Sequence, residues 1–275
     1  MTQLTLTKSS PSLWRVSINN PPVNLVGARF IIELRAILEA AESDPDLAVV
    51  LFESADPEYF IAHWDLADDG SALAGQPPLL EGMSPFTDVL IRLSKLPALT
   101  VSAIRGRVRG AGSEFVLATD IRFASLERAV LGQFEITAGV IPGGGAVARL
   151  PRLVGRGRAL EILAGGEDFD GALAERYGYV NRAVPDAEFD AFIDEFVRRV
   201  SGFSVSAIRE LKREVDPRTL PKEDELATQA NLFLAALATP EVQEWARQAF
   251  ENGLQKDGPF EENLAEYSAR FAPKR

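Results

Sequence analysis

Leu99-Thr100-Val101-Ser102-Ala103-Ile104, then Arg105-Gly106-Arg107-Val108-Arg109, then Gly110-Ala111-Gly112-Ser113-Glu114 is the stretch on which the fold turns. The first run is short and largely apolar, as a buried strand requires. It leads through Gly106 to a glycine-rich turn that opens a helix over about Ser113 to Thr119. In the first turn of a helix the backbone N–H groups have no intrahelical acceptor. Together with the helix dipole they suit a developing negative charge, such as the oxygen of a thioester enolate. Glu114, in that turn, sits close to whatever the turn binds. It equally suits a plainer task, capping its own helix beside glycines that merely allow tight packing.

Similar units lie on either side. Leu4 to Thr7 and Leu13 to Ile18 alternate in polarity around Ser9-Ser10-Pro11-Ser12, the pattern of a β-hairpin. Phe30, Leu34, Leu38 and Ala41 share one helical face between Gly27 and Ala41. Ala48 to Phe52 reads as a buried strand, Phe86 to Leu96 as a helix ended by Pro97. Ile121 to Ala124, Ala129 to Leu131 and Tyr179 to Val184 read as short strands. The glycines, prolines and acidic residues between Ala67 and Pro85 read as a mobile surface loop. Strands and helices alternate to about residue 185, and helices follow, so the fold class is α/β with a helical C-terminal part. The division expected is a core over residues 1–200 and a helical region over 201–275.

Composition removes several classes of function. The formal charge of −11 argues against a nucleic-acid partner, which needs clustered Lys and Arg. There is no cysteine and one histidine, His63, so neither a His/Cys zinc site nor a disulfide framework is available. No G-x-S-x-G elbow and no G-x-x-x-x-G-K-[ST] loop occurs. No apolar run approaches the ~18–20 residues that cross a bilayer, and Met1 to Ser10 lacks a secretory pattern. A soluble, cytoplasmic protein is expected. Glu135, in the connection Gly132-Gln133-Phe134-Glu135-Ile136, lies between two apolar residues that can raise a carboxyl pKa toward working pH. It reads alternatively as a solvent-facing Glu at a strand end.

Phe60-Ile61-Ala62-His63-Trp64-Asp65-Leu66, Gly110 to Glu114, and Phe134-Glu135 with Gly139-Val140-Ile141-Pro142-Gly143-Gly144 stand in this order and spacing. They resemble the enoyl-CoA hydratase/isomerase (crotonase) superfamily. The likeness runs from about Leu4 to Leu211 and includes Asn20-Pro21-Pro22-Val23-Asn24. It implies a spiral of repeated ββα units, C-terminal helices that trimerise, and a homotrimer or homohexamer. It also implies an acyl-CoA thioester as substrate, with no cofactor beyond the coenzyme A of the substrate itself and no metal. The oxyanion hole maps onto the Trp64 and Ala111 amides, the catalytic carboxylates onto Glu114 and Glu135. Further substrate contacts are implied for Val23, Leu25, Ala62 and His63. The same holds for Asp65, Leu66, Gly110, Phe134 and Gly139. In a hydratase Glu114 would help activate the water that attacks Cβ and Glu135 would exchange the proton at Cα. An isomerase needs one base, usually at the Glu135 position. A non-catalytic acyl-CoA-binding homologue is the alternative of a different class.

The chain also departs from the family. Ala62-His63-Trp64-Asp65 stands where Ala-Gly-(small or Phe)-Asp is usual. The lost glycine at His63 predicts some backbone strain, and the Trp64 indole is expected to narrow the acyl channel or to pack with His63 on the following loop. Phe134 replaces a frequent proline. Arg105 and Arg107 either add positive charge near the ligand or form a solvated strand edge. Phe233, Leu234, Leu237 and Trp245 are expected in a core or subunit interface rather than on a substrate pocket. Lys256, Arg270 and Lys274 are the candidates for the coenzyme phosphates.

Overall fold

The computed structural model describes residues 2–76, 78, 80 and 82–273. Lys274 lies outside them. The chain opens with the expected hairpin, β1 (Leu4–Ser10) antiparallel to β2 (Leu13–Ile18). α1 (Ala28–Ser43) follows, with Phe30, Ile31, Leu34 and Leu38 fully buried. Gly27 itself is the residue before the helix, and Asp68 Oδ2 accepts from the Ala28 N–H at 2.5 Å.

Next come successive strand–strand–helix units: β3 (Val49–Ser54), β4 (Tyr59–Ile61) and α2 (Pro85–Ser94); β5 (Leu99–Ile104), β6 (Arg107–Arg109) and α3 (Ala111–Ala118); β7 (Ile121–Ser125), β8 (Val130–Gly132) and α4 (Ala146–Val154). The first strand of each unit enters one sheet and the second strand enters another. β3, β5 and β7 pair in parallel in the first, and β4, β6 and β8 do so in the second. This is the repeated ββα spiral that the sequence leads one to expect. α5 (Arg156–Gly165), β9 (Asp168–Asp170), α6 (Gly171–Tyr177), β10 (Arg182–Val184) and α7 (Asp186–Ser201) complete the sheets. The first sheet runs β1-β2-β3-β5-β7-β10 and the second β4-β6-β8-β9. The last strand is shorter than expected: Tyr179 and Val180 precede it, buried but unpaired as strand.

From Val205 onward the described chain is helical only: α8 (Val205–Thr219), α9 (Glu223–Leu237), α10 (Pro240–Glu251), α11 (Pro259–Glu262) and α12 (Leu264–Ala269). No described helix is long and apolar enough to cross a membrane. The main core lies between the sheets and α1 to α4. A separate cluster joins Val242, Trp245, Ala249, Phe260 and Leu264 of the C-terminal helices to Phe134, Ala138 and Val140. The C-terminal helices thus fold back on their own chain, over the segment that holds Glu135.

Candidate active site

Gly112 sets how closely α3 approaches β4. A Cβ on it would sit 2.3 Å from the Ile61 carbonyl oxygen, so no other residue fits without displacement of the strand. Gly110 takes φ +50°, in the left-handed region that favours glycine. α3 begins at Ala111, two residues earlier than the sequence predicts, so Ala111 N–H is an orphan of the first turn.

The Trp64 amide is freed by a different device. His63 C=O accepts from Val26 N–H at 2.9 Å, and Asp65 N–H donates to Val26 C=O at 2.8 Å. In this isolated parallel bridge the flanking residues bond to Val26. Trp64's own N–H and C=O therefore turn the other way. Among the described residues no backbone carbonyl takes the Trp64 or the Ala111 N–H.

Both amides border a cavity of about 920 Å³ whose walls include His63, Trp64, Gly110, Ala111, Glu114, Phe134 and Glu135. The two carboxylates are buried, Glu114 at 3% and Glu135 at 8% exposure. Glu114 Oε1 accepts from the N–H groups of Gly144 (2.7 Å) and Ala146 (3.1 Å). It therefore caps the start of α4, not its own helix. Gly144 must be bare here, because a Cβ on it would lie 2.7 Å from Glu114 Oε2. Burial pushes the Glu114 carboxyl up to about 7, against the pull of these amides and of the Arg149 guanidinium.

Glu135 opens a single 3-10 turn, Glu135–Ala138, rather than ending a strand, and its neighbour Ile136 is solvent-exposed. Its carboxyl is raised by burial first and by the negative charge of Glu114 second. With its amide oriented as its neighbours require, Gln133 puts its nitrogen 3.0 Å from Glu135 Oε2 and its oxygen 2.8 Å from Ser113 Oγ. Ser113 in turn bonds the Tyr179 hydroxyl. Sequence reasoning missed this buried chain of Tyr179, Ser113 and Gln133, and also Arg149. Ser113 and Gln133 lie inside quoted motifs, but nothing in their spacing marks them as partners of a carboxylate.

The remaining candidates divide. Leu66 lines the cavity with His63, Gly110 and Phe134. Val23, Leu25, Ala62, Asp65 and Gly139 do not line it. Val23, Leu25 and Ala62 pack with Tyr59 in their own small cluster, Asp65 accepts from Gln255, and Gly139 turns the chain at φ +80°. The strain expected at His63 is absent, since among described non-glycine residues only Asn24 and Gln255 have positive φ. The two rings do not pack together on the following loop. Trp64 meets Phe86 of α2 at 5.4 Å, and His63 meets Phe134 edge-on at 5.6 Å.

Phe233, Leu234, Leu237 and Trp245 all line the cavity, because α9 and α10 fold over it, where the sequence reading put them off the pocket. The core expectation holds as well for Trp245, Phe233 and Leu237, which pack in the C-terminal cluster. Arg105 is held by Asp186 and Asp190, and Arg107 by Glu58, and neither reaches this cavity. Lys256 and Arg270 do not reach it either, whereas Arg247 of α10, paired with Glu244 and Glu251, does.

A sequence profile of the enoyl-CoA hydratase/isomerase family matches residues 8–261. The provisionally named enoyl-CoA hydratase/isomerase YngF of Bacillus subtilis (strain 168) is 30% identical over 198 residues, 72% of this chain and 75% of that protein. The mitochondrial enoyl-CoA hydratase domain-containing protein 2 of Mus musculus is 32% identical over 184 residues, 66% of this chain and 61% of that protein. Among solved structures, a provisionally named enoyl-CoA hydratase from Streptomyces avermitilis superposes with a TM-score of 0.93 at 39% identity, covering 97% of this chain and 96% of that one. Pseudomonas aeruginosa DspI gives 0.71 at 26% identity, with 92% and 97% covered. A ββα spiral, two freed amides and two buried glutamates on one cavity agree with these matches, and the chain belongs to the enoyl-CoA hydratase/isomerase (crotonase) superfamily.

Proposed function

We propose that the chain is an enoyl-CoA hydratase, adding water across the 2,3 double bond of an enoyl-CoA thioester. The observation that carries this reading is the burial of Glu114 and Glu135 on one cavity with the free amides of Trp64 and Ala111. Two buried carboxylates that raise each other's proton affinity do not both ionise readily. Two amides and Arg149 favour the charged form of Glu114, whereas Glu135 has Glu114 against it. Glu114 is then the carboxylate and Glu135 the acid.

In that state Glu114 takes a proton from water as the oxygen attacks Cβ. The Cα=Cβ electrons move through the thioester to its oxygen, held by the Trp64 and Ala111 N–H groups. The enolate collapses as Glu135 delivers its proton to Cα. The pair ends with the proton on Glu114 instead of Glu135, and exchange with water restores it. The apolar walls around Trp64, Phe86, Phe233 and Trp245 suit an apolar acyl group.

A second reading, double-bond isomerisation, is favoured by one observation: Glu114 already serves as the cap of α4, which would leave Glu135 as the working base. Absorbance at the enoyl-thioester band decides between them. With crotonyl-CoA and longer 2-enoyl-CoAs, loss of the band with a hydroxyacyl product by mass supports hydration. Turnover of 3-enoyl-CoA alone, surviving Glu114→Gln, supports isomerisation instead.

A further inference from the structure

His63 occupies a place where the sequence pattern expects glycine, yet its ring is built into the protein at both ends. Nδ1 lies 2.8 Å from the carbonyl oxygen of Trp64, and Nε2 lies 2.9 Å from Glu261 Oε1 of α11. A carbonyl only accepts, so Nδ1 carries a proton. Glu261 Oε1 also accepts from the Gln255 N–H at 2.5 Å, and although burial raises its carboxyl, His63, this N–H and Arg109 outweigh it and hold it below the ordinary value. With Glu261 as the carboxylate, Nε2 carries a proton too and the ring is an imidazolium. His63 and Glu261 are 2% and 0% exposed. The second carboxylate oxygen of Glu261 is buried without a partner among the described residues. A buried pair so arranged contributes little to stability, because desolvation offsets the attraction.

We propose that His63 and Glu261 form a latch through which the C-terminal segment fixes the Trp64 peptide, making His63 a positioning residue for the oxyanion amide. This rests on the proposed acyl-thioester chemistry, and its structural half can be tested without it. The geometry gives the reason. Val26 holds the residues on either side of Trp64, leaving Trp64's own N–H and C=O turned away. The imidazolium takes the C=O, so only the N–H remains for a ligand. The latch is anchored beyond Glu261 as well: Arg109 donates to the carbonyls of Glu261 (2.7 Å) and Glu262 (3.1 Å) while its other donors hold Asp168.

The charges facing His63 are Glu261 from α11, Arg109 from β6, itself compensated by Asp168 of β9, and Glu135 near Gly110. A Cβ built on Gly110 lies 3.1 Å from Glu135 Oε1 and 3.5 Å from the His63 Cβ. Burial opposes the imidazolium most, but Glu261 outweighs it, and the ring titrates above its ordinary 6.5. The latch is therefore closed at low pH and opens as rising pH takes the proton from the ring.

His63 is the chain's only histidine, so its ring ¹⁵N signals need no assignment. The parent protein should show both ring nitrogens predominantly protonated at pH 6.5, where an ordinary imidazole is half protonated. One unprotonated nitrogen there would overturn the proposal. Glu261→Gln should bring the titration down, since burial then acts unopposed by that charge, and speed amide exchange in the peptides spanning residues 60–66 and 255–262. An unchanged titration or exchange pattern also overturns it. Where hydration is measurable, the same variant should lower kcat about tenfold with KM within twofold, as loss of a transition-state contact does. Activity absent from parent and variants alike would refute the hydratase reading and leave the ring and exchange results to decide the latch. His63→Gln, which can still reach the Trp64 carbonyl, should keep more of kcat than His63→Ala, and an equal loss in the two variants would count against the carbonyl contact.

Discussion

Replacing Glu114 by Gln should make the protein more stable and less active, and the stability gain should depend on pH in a defined way. Burial raises the Glu114 carboxyl from 4.5 to about 7. In the unfolded chain the group ionises near 4.5, so between these values folding binds a proton. Stability from this group is thus fully present below pH 4.5 and lost as pH rises to about 7. At about 1.4 kcal/mol for each pH unit, the ionised group costs the fold about 3 kcal/mol above pH 7. The Gln carbonyl can still accept from the Gly144 and Ala146 N–H groups, so the cap of α4 survives. Thermal unfolding at pH 8 should show the variant several degrees higher, since ~1 kcal/mol moves Tm by ~2–4 °C at this size. Below pH 4.5 the two curves should converge, while hydration falls by about 10²-fold. A variant less stable than its parent at pH 8, or a gain independent of pH, would refute the reasoning. Glu114 would then be a structural cap whose charge costs nothing.

Gly112→Ala should lose about 1–3 kcal/mol of stability in denaturant titration, because its Cβ would force Ile61 aside. Turnover should fall with it as the Ala111 amide moves. Trp64→Ala leaves the main-chain N–H in place, so hydration of crotonyl-CoA should stay within about tenfold of the parent while bulkier acyl groups gain in kcat/KM. Arg149→Met removes a charge that holds the Glu114 carboxyl down. The acid limb of the kcat/KM profile, which needs ionised Glu114, should then move to higher pH.

The strands and turns of the core were legible because their signals are local, whereas the spiral that joins them came from the family resemblance. Apolar runs such as Val101 and its neighbours, and the glycines at 110 and 112, announce strand and turn wherever they pack. Glu114, Glu135, Trp64 and Ala111 were reached through motif resemblance, and the structure brings all four to one cavity. The plainer role anticipated for Glu114, a cap, was right in kind but placed on the wrong helix, since Gly144 lies 30 residues away in the chain. The C-terminal contribution could not be read. Phe233 and Trp245 carry the ordinary pattern of an amphipathic helix, and nothing local says whether that face meets a core, a neighbour or a cavity. The same holds for Glu261, whose partner His63 is 198 residues distant.

The central claim, that Glu135 is the acid that delivers a proton to Cα after water adds at Cβ, is tested most directly by turnover of a 2-enoyl-CoA in ¹⁸O-labelled D₂O. The parent should give a 3-hydroxyacyl product with ¹⁸O on Cβ and one deuterium at Cα, and Glu135→Gln should form it at least ~10²-fold more slowly. Product formed by the variant at the parent's rate, or deuterium at Cα without ¹⁸O at Cβ, would contradict the account.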